Sequence, residues 1–424
     1  MVKAESRWGA LAEPQFRLLW IGQAVSTLGD RITPIAMAFA VLALHGSATD
    51  VGIVIAAGTI PLAGLLLVGG VWADRLDRRR VMLTSDLVRA ITQAVTAGLL
   101  VTGHATVWNL AALAALYGAA EAFFRPAATG LLPQVISAAR LAQGNALVSL
   151  SLNAAMIVGP LIAGALIAAS SPGTAIAIDS VSFLISAAFL ARIRPTPIVR
   201  GARHAFVHEL KQGLREVTSR RWLTSLVLGF TVYQCVVLPG VTVLGPVTAA
   251  ENYHGAVSWA WMTAGFGTGA VVGSIIALRA RPGRPLVLCA ILLAVGSLQP
   301  LVIAVGLPVA VVAALLAVGG ASIAVLFAVW DTTLAQEIEP SALSRVSSFD
   351  YFGSTVGMPV GFLVIGPLAQ HFGATPVMIV VSVIGVTWAL GTAALPDVRG
   401  MRRRGSLESG PTPVPFGLES GTIL

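Results

Sequence analysis

Charged residues are scarce in this chain. Asp, Glu, Lys and Arg make up 11% of its 424 residues, whereas about a quarter is usual in a soluble globular domain. Hydrophobic residues make up 56%, and a soluble protein of this length could not bury so much apolar surface. The composition excludes an ordinary soluble domain and favours a protein with many membrane-spanning helices.

Other absences narrow the function. The two cysteines, Cys235 and Cys289, lie in apolar segments, and we interpret them as unreactive buried thiols. The sequence contains no phosphate-binding G-x-x-x-x-G-K-S/T loop, no His/Cys cluster at metal-ligand spacing and no G-x-S-x-G nucleophile turn. We therefore expect no enzymatic activity, no metal and no cofactor.

Lysine and arginine are missing from six alternate polar stretches. These are residues 42–50, 102–106, 170–174, 248–258, 306–308 and 370–375, and the stretches between them carry clustered arginines. Because basic residues near span ends stay in the cytoplasm, the alternation predicts twelve transmembrane helices with both termini cytoplasmic. The membrane topology and contact with lipid headgroups then explain the net charge of +8, and nucleic-acid binding is not needed to account for it. We expect a multi-pass protein of a bacterial cytoplasmic membrane.

The predicted spans fall into two sets of six. They are residues 16–41, 51–72, 81–101, 107–124, 146–169, 175–191, 222–247, 259–278, 286–305, 309–335, 346–369 and 376–395. The predicted domains are an N-terminal half (1–192), a cytoplasmic linker (193–221), a C-terminal half (222–398) and a disordered tail (399–424). Within the linker, residues 205–216 have the pattern of an amphipathic helix on the membrane surface or, equally, of a solvated linker helix.

The two halves resemble each other at an offset of roughly 200 residues. The fifth and eleventh spans carry matching glycine pairs, Gly159 and Gly164 in one, Gly361 and Gly366 in the other. Such duplication predicts an all-α membrane protein built as two pseudo-symmetric six-helix halves around a central cavity.

The loop between the second and third spans is distinctive. It reads Gly70-Val-Trp-Ala-Asp74-Arg75-Leu-Asp77-Arg78-Arg79-Arg80. With this loop the chain, over residues 10–398, resembles the major facilitator superfamily, and within it the drug:proton antiporters that include macrolide and siderophore exporters. The family pattern is G-x-x-x-D-R-x-G-R-R/K, with Asp77 here in place of the second glycine.

The resemblance implies that Gly70, Asp74, Arg75 and Arg79 form a gate that latches the two halves in the outward-facing state. Asp74 is also placed to cap a helix N-terminus or to face its positive end. The alternative interpretation is that the arginines only set the topology.

A second match lies in the fifth span. Gly159, Pro160 and Gly164 resemble the antiporter signature g-x-x-x-G-P-x-x-G-G, which implies export; the alternative is a tightly packed helix of any transporter. A third motif is missing, because the arginine that relatives often carry four residues before a glycine in the fourth span is Ala114 here, ahead of Gly118.

Charges within the spans are candidates for function, because a charge at bilayer depth costs several kcal/mol unless it is paired or faces water. Asp30 lies roughly 20 Å into the first span, and we predict that it carries the coupled proton; the alternative is a static ion pair. Glu121 is the second proton-coupling candidate, but its spacing also suits an ion pair with Arg125. Asp179 is predicted to be structural.

The remaining candidates form two groups. We assign a cytoplasmic charge network to Asp86, Arg89, Arg125 and Asp350. The candidates for the substrate cavity are Arg31, Phe39, Tyr233 and Phe266.

These features lead to one hypothesis: a proton-coupled secondary transporter that exports a small amphipathic compound, such as a drug, antibiotic or siderophore-like metabolite, by alternating access. We expect the proton gradient to be the energy source and the substrate, protons and lipid bilayer to be the partners. We also expect a monomer that binds no nucleic acid. The alternatives are a nutrient importer or uniporter on the same fold, and a non-transporting membrane sensor.

Overall fold

The computed structural model describes residues 9–195, 215–339, 343, 346, 347, 349, 350, 353 and 357–402, and gives only the backbone of residues 66–75. Secondary structure in these residues is helical. Most of the segment 205–216 and most of the proposed tail lie outside the described residues, and so does Arg345 in the loop before the eleventh span.

Six long helices form the first half. They are α1 (Pro14–Ala43), α2 (Ala48–Arg75), α3 (Arg78–Val101), α4 (Val107–Val135), α5 (Leu141–Ala169) and α6 (Pro172–Leu190). The side chain of Asp77 accepts a hydrogen bond from the backbone N–H of Arg80 and caps α3. Asp77 thus has a physical role at the position where relatives carry glycine. Asp74 lies in α2 and its side chain is outside the described residues, so the capping role stays a prediction.

Six longer helices also lie in the described part of the second half. They are α7 (Arg221–Asn252), α8 (Ala256–Ala277), α9 (Pro285–Ala304), α10 (Val309–Glu337), α11 (Met358–Phe372) and α12 (Ala374–Ala394). Helix α7 contains a π-helical turn at Tyr233–Val237, just before Pro239. Proline has no N–H to donate to the preceding turn, which favours this local irregularity.

Ten helices in the described residues are long and apolar enough to cross a membrane. Two helices of the bundle, α3 and α11, fall outside this group. Helix α3 has 24 residues but begins with three arginines and contains Asp86 and Arg89. The described part of α11 has only 15 residues. The helical membrane architecture expected from the sequence is therefore present.

The hydrophobic core differs between the two ends of the bundle. At the end whose loops lack Lys and Arg, one cluster joins both halves and includes Phe39 of α1 and Phe362 of α11. At the basic end each half has its own cluster, one around Met82 and one around Trp330. In the described residues, the hydrophobic core therefore closes the first end and leaves the halves apart at the second.

Glycines bring the halves together at the closed end. Gly164 of α5 meets Ala260 of α8, and Gly366 of α11 meets the backbone of Thr49 of α2; a side chain at either glycine would overlap its neighbour. Each contact joins α5 or α11 to the second helix of the opposite half.

The partner glycines make contacts within each half. Gly159 of α5 lies against Arg31 of α1, and Gly361 of α11 lies against the backbone of Cys235 of α7. The matched glycine pairs of the sequence thus make equivalent contacts, and these contacts place Arg31 and Cys235 at corresponding positions of the two halves.

Candidate functional site

The most unusual group of side chains lies inside the first half. Among the described residues, the buried charged side chains are Asp86, Arg89 and Asp179. Two of them, Asp86 and Arg89, join Asp30 of α1 and Tyr117 of α4 in one group, which we call the carboxylate–arginine cluster.

Arg89 of α3 is the centre of this cluster. Its guanidinium lies 2.5 Å from Asp86, one turn earlier on the same helix, and 3.5 Å from Asp30. The guanidinium carbon also lies 4.1 Å from the ring centre of Phe124 and 4.3 Å from that of Phe183. Cation–π contact with two rings and an ion pair hold the charge in place where water is excluded.

Asp30 is the charged member of the cluster with a substantially exposed side chain. About a third of its side chain is exposed (34%), whereas Asp86 has no exposed surface. The Tyr117 hydroxyl donates a 2.6 Å hydrogen bond to Asp30 Oδ1. Residues that follow Asp30 on α1, from Ile32 onward, enter the core of the closed end. The exposed carboxylate therefore lies at the boundary between the closed and open parts of the bundle.

Asp179 of α6 has a different environment. Its carboxylate accepts hydrogen bonds from Thr33 of α1 at 2.5 Å, Gln93 of α3 at 2.8 Å and Ser182 at 3.2 Å. These donors link three helices through one buried group. The contacts agree with the structural role predicted for Asp179.

Glu121 and Arg125 meet on α4. Arg125 donates two hydrogen bonds to Glu121 Oε1, at 2.9 and 2.5 Å, as their i, i+4 spacing predicts. The structure thus places the second proton-coupling candidate in an ion pair.

Among the described residues, Asp86, Arg89, Arg125 and Asp350 make separate contacts rather than the single charge network that the sequence predicts. Asp86 and Arg89 are buried with Asp30, Arg125 pairs with Glu121, and Asp350 in the second half accepts a 2.8 Å hydrogen bond from the Trp330 indole. Sequence spacing placed these residues at similar depth but did not show which face of each helix they occupy.

Of the predicted gating residues, Arg79 has a described side chain, while those of Gly70, Asp74 and Arg75 lie outside the described residues. Arg79 donates hydrogen bonds to the carbonyls of Leu190 at 2.9 Å and Ala191 at 2.5 Å. It caps the C-terminus of α6 within its own half. A latch between the halves stays a prediction for the state in which the basic ends of the two halves come together.

The cavity candidates occupy different environments. Phe39 is buried in the core of the closed end, so its predicted place in an open cavity is wrong for this state. The Tyr233 hydroxyl accepts a 2.9 Å hydrogen bond from buried Gln299. Phe266 is partly buried against the closed end. Arg31 is exposed, and it has no ion pair or hydrogen bond with another described residue.

Sequence reasoning missed the link between Arg89 and Asp30, and it missed Tyr117 and Gln93. A signal was present: Asp86, Arg89 and Gln93 recur at intervals of three and four residues, which puts them on one face of α3. A polar face on a predicted span must turn toward other helices or water, because lipid cannot satisfy it.

Comparison with known proteins decides the family. A model of the transmembrane secretion effector family of the major facilitator superfamily matches residues 5–409. The chain belongs to this family. It is therefore a membrane transporter, and the fold and family expected from its two sequence motifs are confirmed.

Two of the curated relatives are efflux proteins. The transporter is 23% identical to macrolide efflux protein A of Streptococcus pyogenes, over 85% of this chain and 90% of the relative. It is 28% identical to the multidrug efflux pump Tap of Mycobacterium tuberculosis, over 91% and 94%. Among solved structures, the nucleoside transporter NupG covers 90% of this chain and 98% of its own, with a TM-score of 0.72 and 11% identity. The last comparison shows the fold alone.

Proposed function

We propose that the protein is a proton-coupled exporter of a small amphipathic compound, such as a drug, antibiotic or siderophore-like metabolite. It acts in a bacterial cytoplasmic membrane, with both termini and the basic loops in the cytoplasm. In this orientation the structure is inward-open, because the end with basic-free loops is closed.

The observation that carries the proposal is the position of Asp30. Its carboxylate is one-third exposed and contacts α3 and α4 through Arg89 and Tyr117. An ionised carboxylate in a closing cavity is costly to dehydrate, whereas a protonated one is far less so. Proton binding at Asp30 therefore decides whether the cavity around it can close, and this couples proton movement to the change of state.

Alternating access uses the contacts between the halves. Gly164 and Gly366 allow α5 and α11 to approach the opposite half closely at the outer end. Opening that end separates these helices, while the basic ends come together. Protons enter from outside when the outer end is open and leave to the cytoplasm in the state seen here.

Export of an amphipathic compound is supported by two features. The efflux relatives extend over most of the chain. The second half also offers an aromatic and amide pair, with Tyr233 on the irregular part of α7 and Gln299 on α9. Apolar surface with few polar groups is the usual lining of a small-molecule site.

The test uses proteoliposomes with an internal pH dye. Native protein, Asp30→Asn and the matched control Asp331→Asn, an exposed carboxylate on α10, are given lipophilic cations, macrolides or catecholate siderophores. Compound-dependent proton movement is expected in the native protein and the control and is expected to fall to background in Asp30→Asn.

Other outcomes separate the alternatives. Compound flux that ignores an imposed pH gradient contradicts proton coupling and favours a uniporter. Accumulation of a nutrient by intact cells favours an importer. Ligand binding without flux favours a sensor. Coupling retained in Asp30→Asn moves the proton site to Glu121 or to another residue.

A further inference from the structure

We propose that Asp86 is a positioning residue that holds Arg89 through a buried ion pair and so reserves Asp30 as the one proton-binding carboxylate of the cluster. This inference rests on the proposed function and explains how a single proton site is selected in a half that contains several buried carboxylates.

The first step is a count of charges. Asp30, Asp86 and Arg89 are mutually in contact through the guanidinium. With both carboxylates ionised the three groups carry a net charge of −1, and one added proton makes them neutral. One guanidinium compensates one carboxylate fully, so the cluster has room for a single proton, and a buried site favours the neutral state.

The second step is the choice of carboxylate. Arg89 lies 2.5 Å from Asp86 but 3.5 Å from Asp30, and Asp86 has no exposed surface from which to exchange a proton with water. Both contacts to Asp30 are made at Oδ1 and leave its Oδ2 without a hydrogen-bond partner among the described residues. Asp86 Oδ2 also has no such partner, but it is buried, so of the two carboxylates Asp30 is the one that water can reach. A proton from water therefore binds at Asp30 Oδ2 and returns to water when the state changes.

The third step is the fixed position of the cation. The rings of Phe124 on α4 and Phe183 on α6 flank the Arg89 guanidinium. Arg89 is thus held from three sides by Asp86 and two aromatic rings, and it keeps its place whether or not Asp30 is charged. The pair Asp86–Arg89 acts as a rigid partner against which Asp30 gains or loses its charge.

The remaining charged and titratable groups around Asp30 do not offer a better partner. Arg31 on α1 is exposed, Glu121 on α4 pairs with Arg125, and Asp179 on α6 is satisfied by its own donors. Tyr117 donates to Asp30 as a neutral hydroxyl. Among these described neighbours, Arg89 is the cation in direct contact with the Asp30 carboxylate, while Arg31 acts on it from a longer distance.

The proposal predicts pH shifts of opposite sign. Asp86→Asn leaves Arg89 entirely to Asp30, so proton binding requires more acid, and the pH of half-maximal coupling falls by about one unit or more. Arg89→Gln leaves two carboxylates without a cation, and the half-maximal pH rises. The double variant is expected between the two, and Asp331→Asn leaves the profile unchanged.

A second measurement does not depend on folding of these variants. Infrared difference spectroscopy of the native protein between acid and alkaline pH is expected to show one protonated carboxyl band that is absent in Asp30→Asn and retained in Asp331→Asn. A band retained in Asp30→Asn overturns the assignment of the proton to that residue.

Failure of this inference is distinct from failure of the proposed function. If Asp30→Asn abolishes coupling but Asp86→Asn does not change the pH of half-maximal coupling, the positioning role of Asp86 is wrong and the proposed exporter function is unaffected. If Asp86→Asn abolishes coupling and Asp30→Asn does not, the roles are reversed. If native protein moves no protons with any compound, the exporter is wrong, and the infrared titration still tests the cluster.

Discussion

The two halves share a helix arrangement but bury different chemistry. In the first half the described buried side chains include Asp86, Arg89 and Asp179, whereas the described buried polar side chains of the second half are hydroxyls and one amide, Gln299. The equivalent glycine contacts place Cys235 where the first half has Arg31, so Gln234 corresponds to Asp30. We infer that duplication preserved the packing and that the ionisable site belongs to one half.

The difference in buried chemistry suggests different roles for the glycine contacts and for the ionisable side chains. In the proposed cycle, the glycine contacts that both halves repeat allow the two ends to open and close in turn. A proton site needs a charge that is costly to bury, and one such site suffices. The predictions below test this division, from the largest expected effect to the smallest.

The symmetric contacts are tested by Gly366→Val. The added side chain overlaps the backbone of Thr49, so the outer end cannot close as seen here and transport is expected to be lost. With Cys235 and Cys289 replaced by alanine, a cysteine introduced at buried Ala48 should become reactive toward an external thiol reagent.

The control for that change is Gly391→Val on α12, where an added Cβ meets nothing within 4 Å. It should retain transport and protection of the introduced cysteine. Equal labelling in both variants would contradict the role of Gly366 at the closed end.

The charged interior of the first half is tested by Asp179→Ala. Loss of this acceptor leaves buried donors of Thr33 and Gln93 without their carboxylate and is expected to cost about 3 kcal/mol of stability. Gln299→Ala in the second half loses neutral hydrogen bonds to Tyr233 and a backbone carbonyl, at about 1 kcal/mol. Thermal unfolding in detergent should rank them in this order, and equal shifts would remove the contrast between the halves.

Helix capping by arginine gives a smaller effect in both halves. Arg79 donates to two carbonyls at the end of α6, while Arg220 donates to the carbonyl of Glu337 at the end of α10. Arg79→Ala is expected to cost about 1–2 kcal/mol and Arg220→Ala about 1 kcal/mol. Chemical denaturation compares them, and a neutral Arg79→Ala would mean that the cap does not contribute to stability.

The smallest effect is expected at the start of α3. Asp77→Gly restores the glycine of the family pattern but removes the side-chain cap. It is expected to lower the free energy of unfolding by roughly 0.3 kcal/mol. Asp77→Asn retains a capping oxygen and serves as the control. A stabilising Asp77→Gly would show that the loop needs backbone freedom more than a cap.

Much of the candidate site could be located but not assembled from the sequence. Asp30 was selected because a carboxylate so deep in an apolar span needs a reason, and Glu121 and Arg125 were paired by helical spacing. Arg89 was assigned to the cytoplasmic end, because it follows the arginine loop by only a few residues and linear distance suggested a shared network. Phe39 was assigned to the cavity, although the closing of the outer end buries it.

The sequence by itself determined the membrane architecture, the repeat and the family, because hydropathy, basic-residue alternation and glycine spacing are properties of position along the chain. Only the tertiary structure decided that the bundle is closed at its basic-free end and that α1, α3 and α4 bring Asp30, Arg89 and Tyr117 together. The physical reason is that contacts between helices depend on their relative rotation and depth. Those are set by packing across the whole bundle rather than by the pattern of any one span.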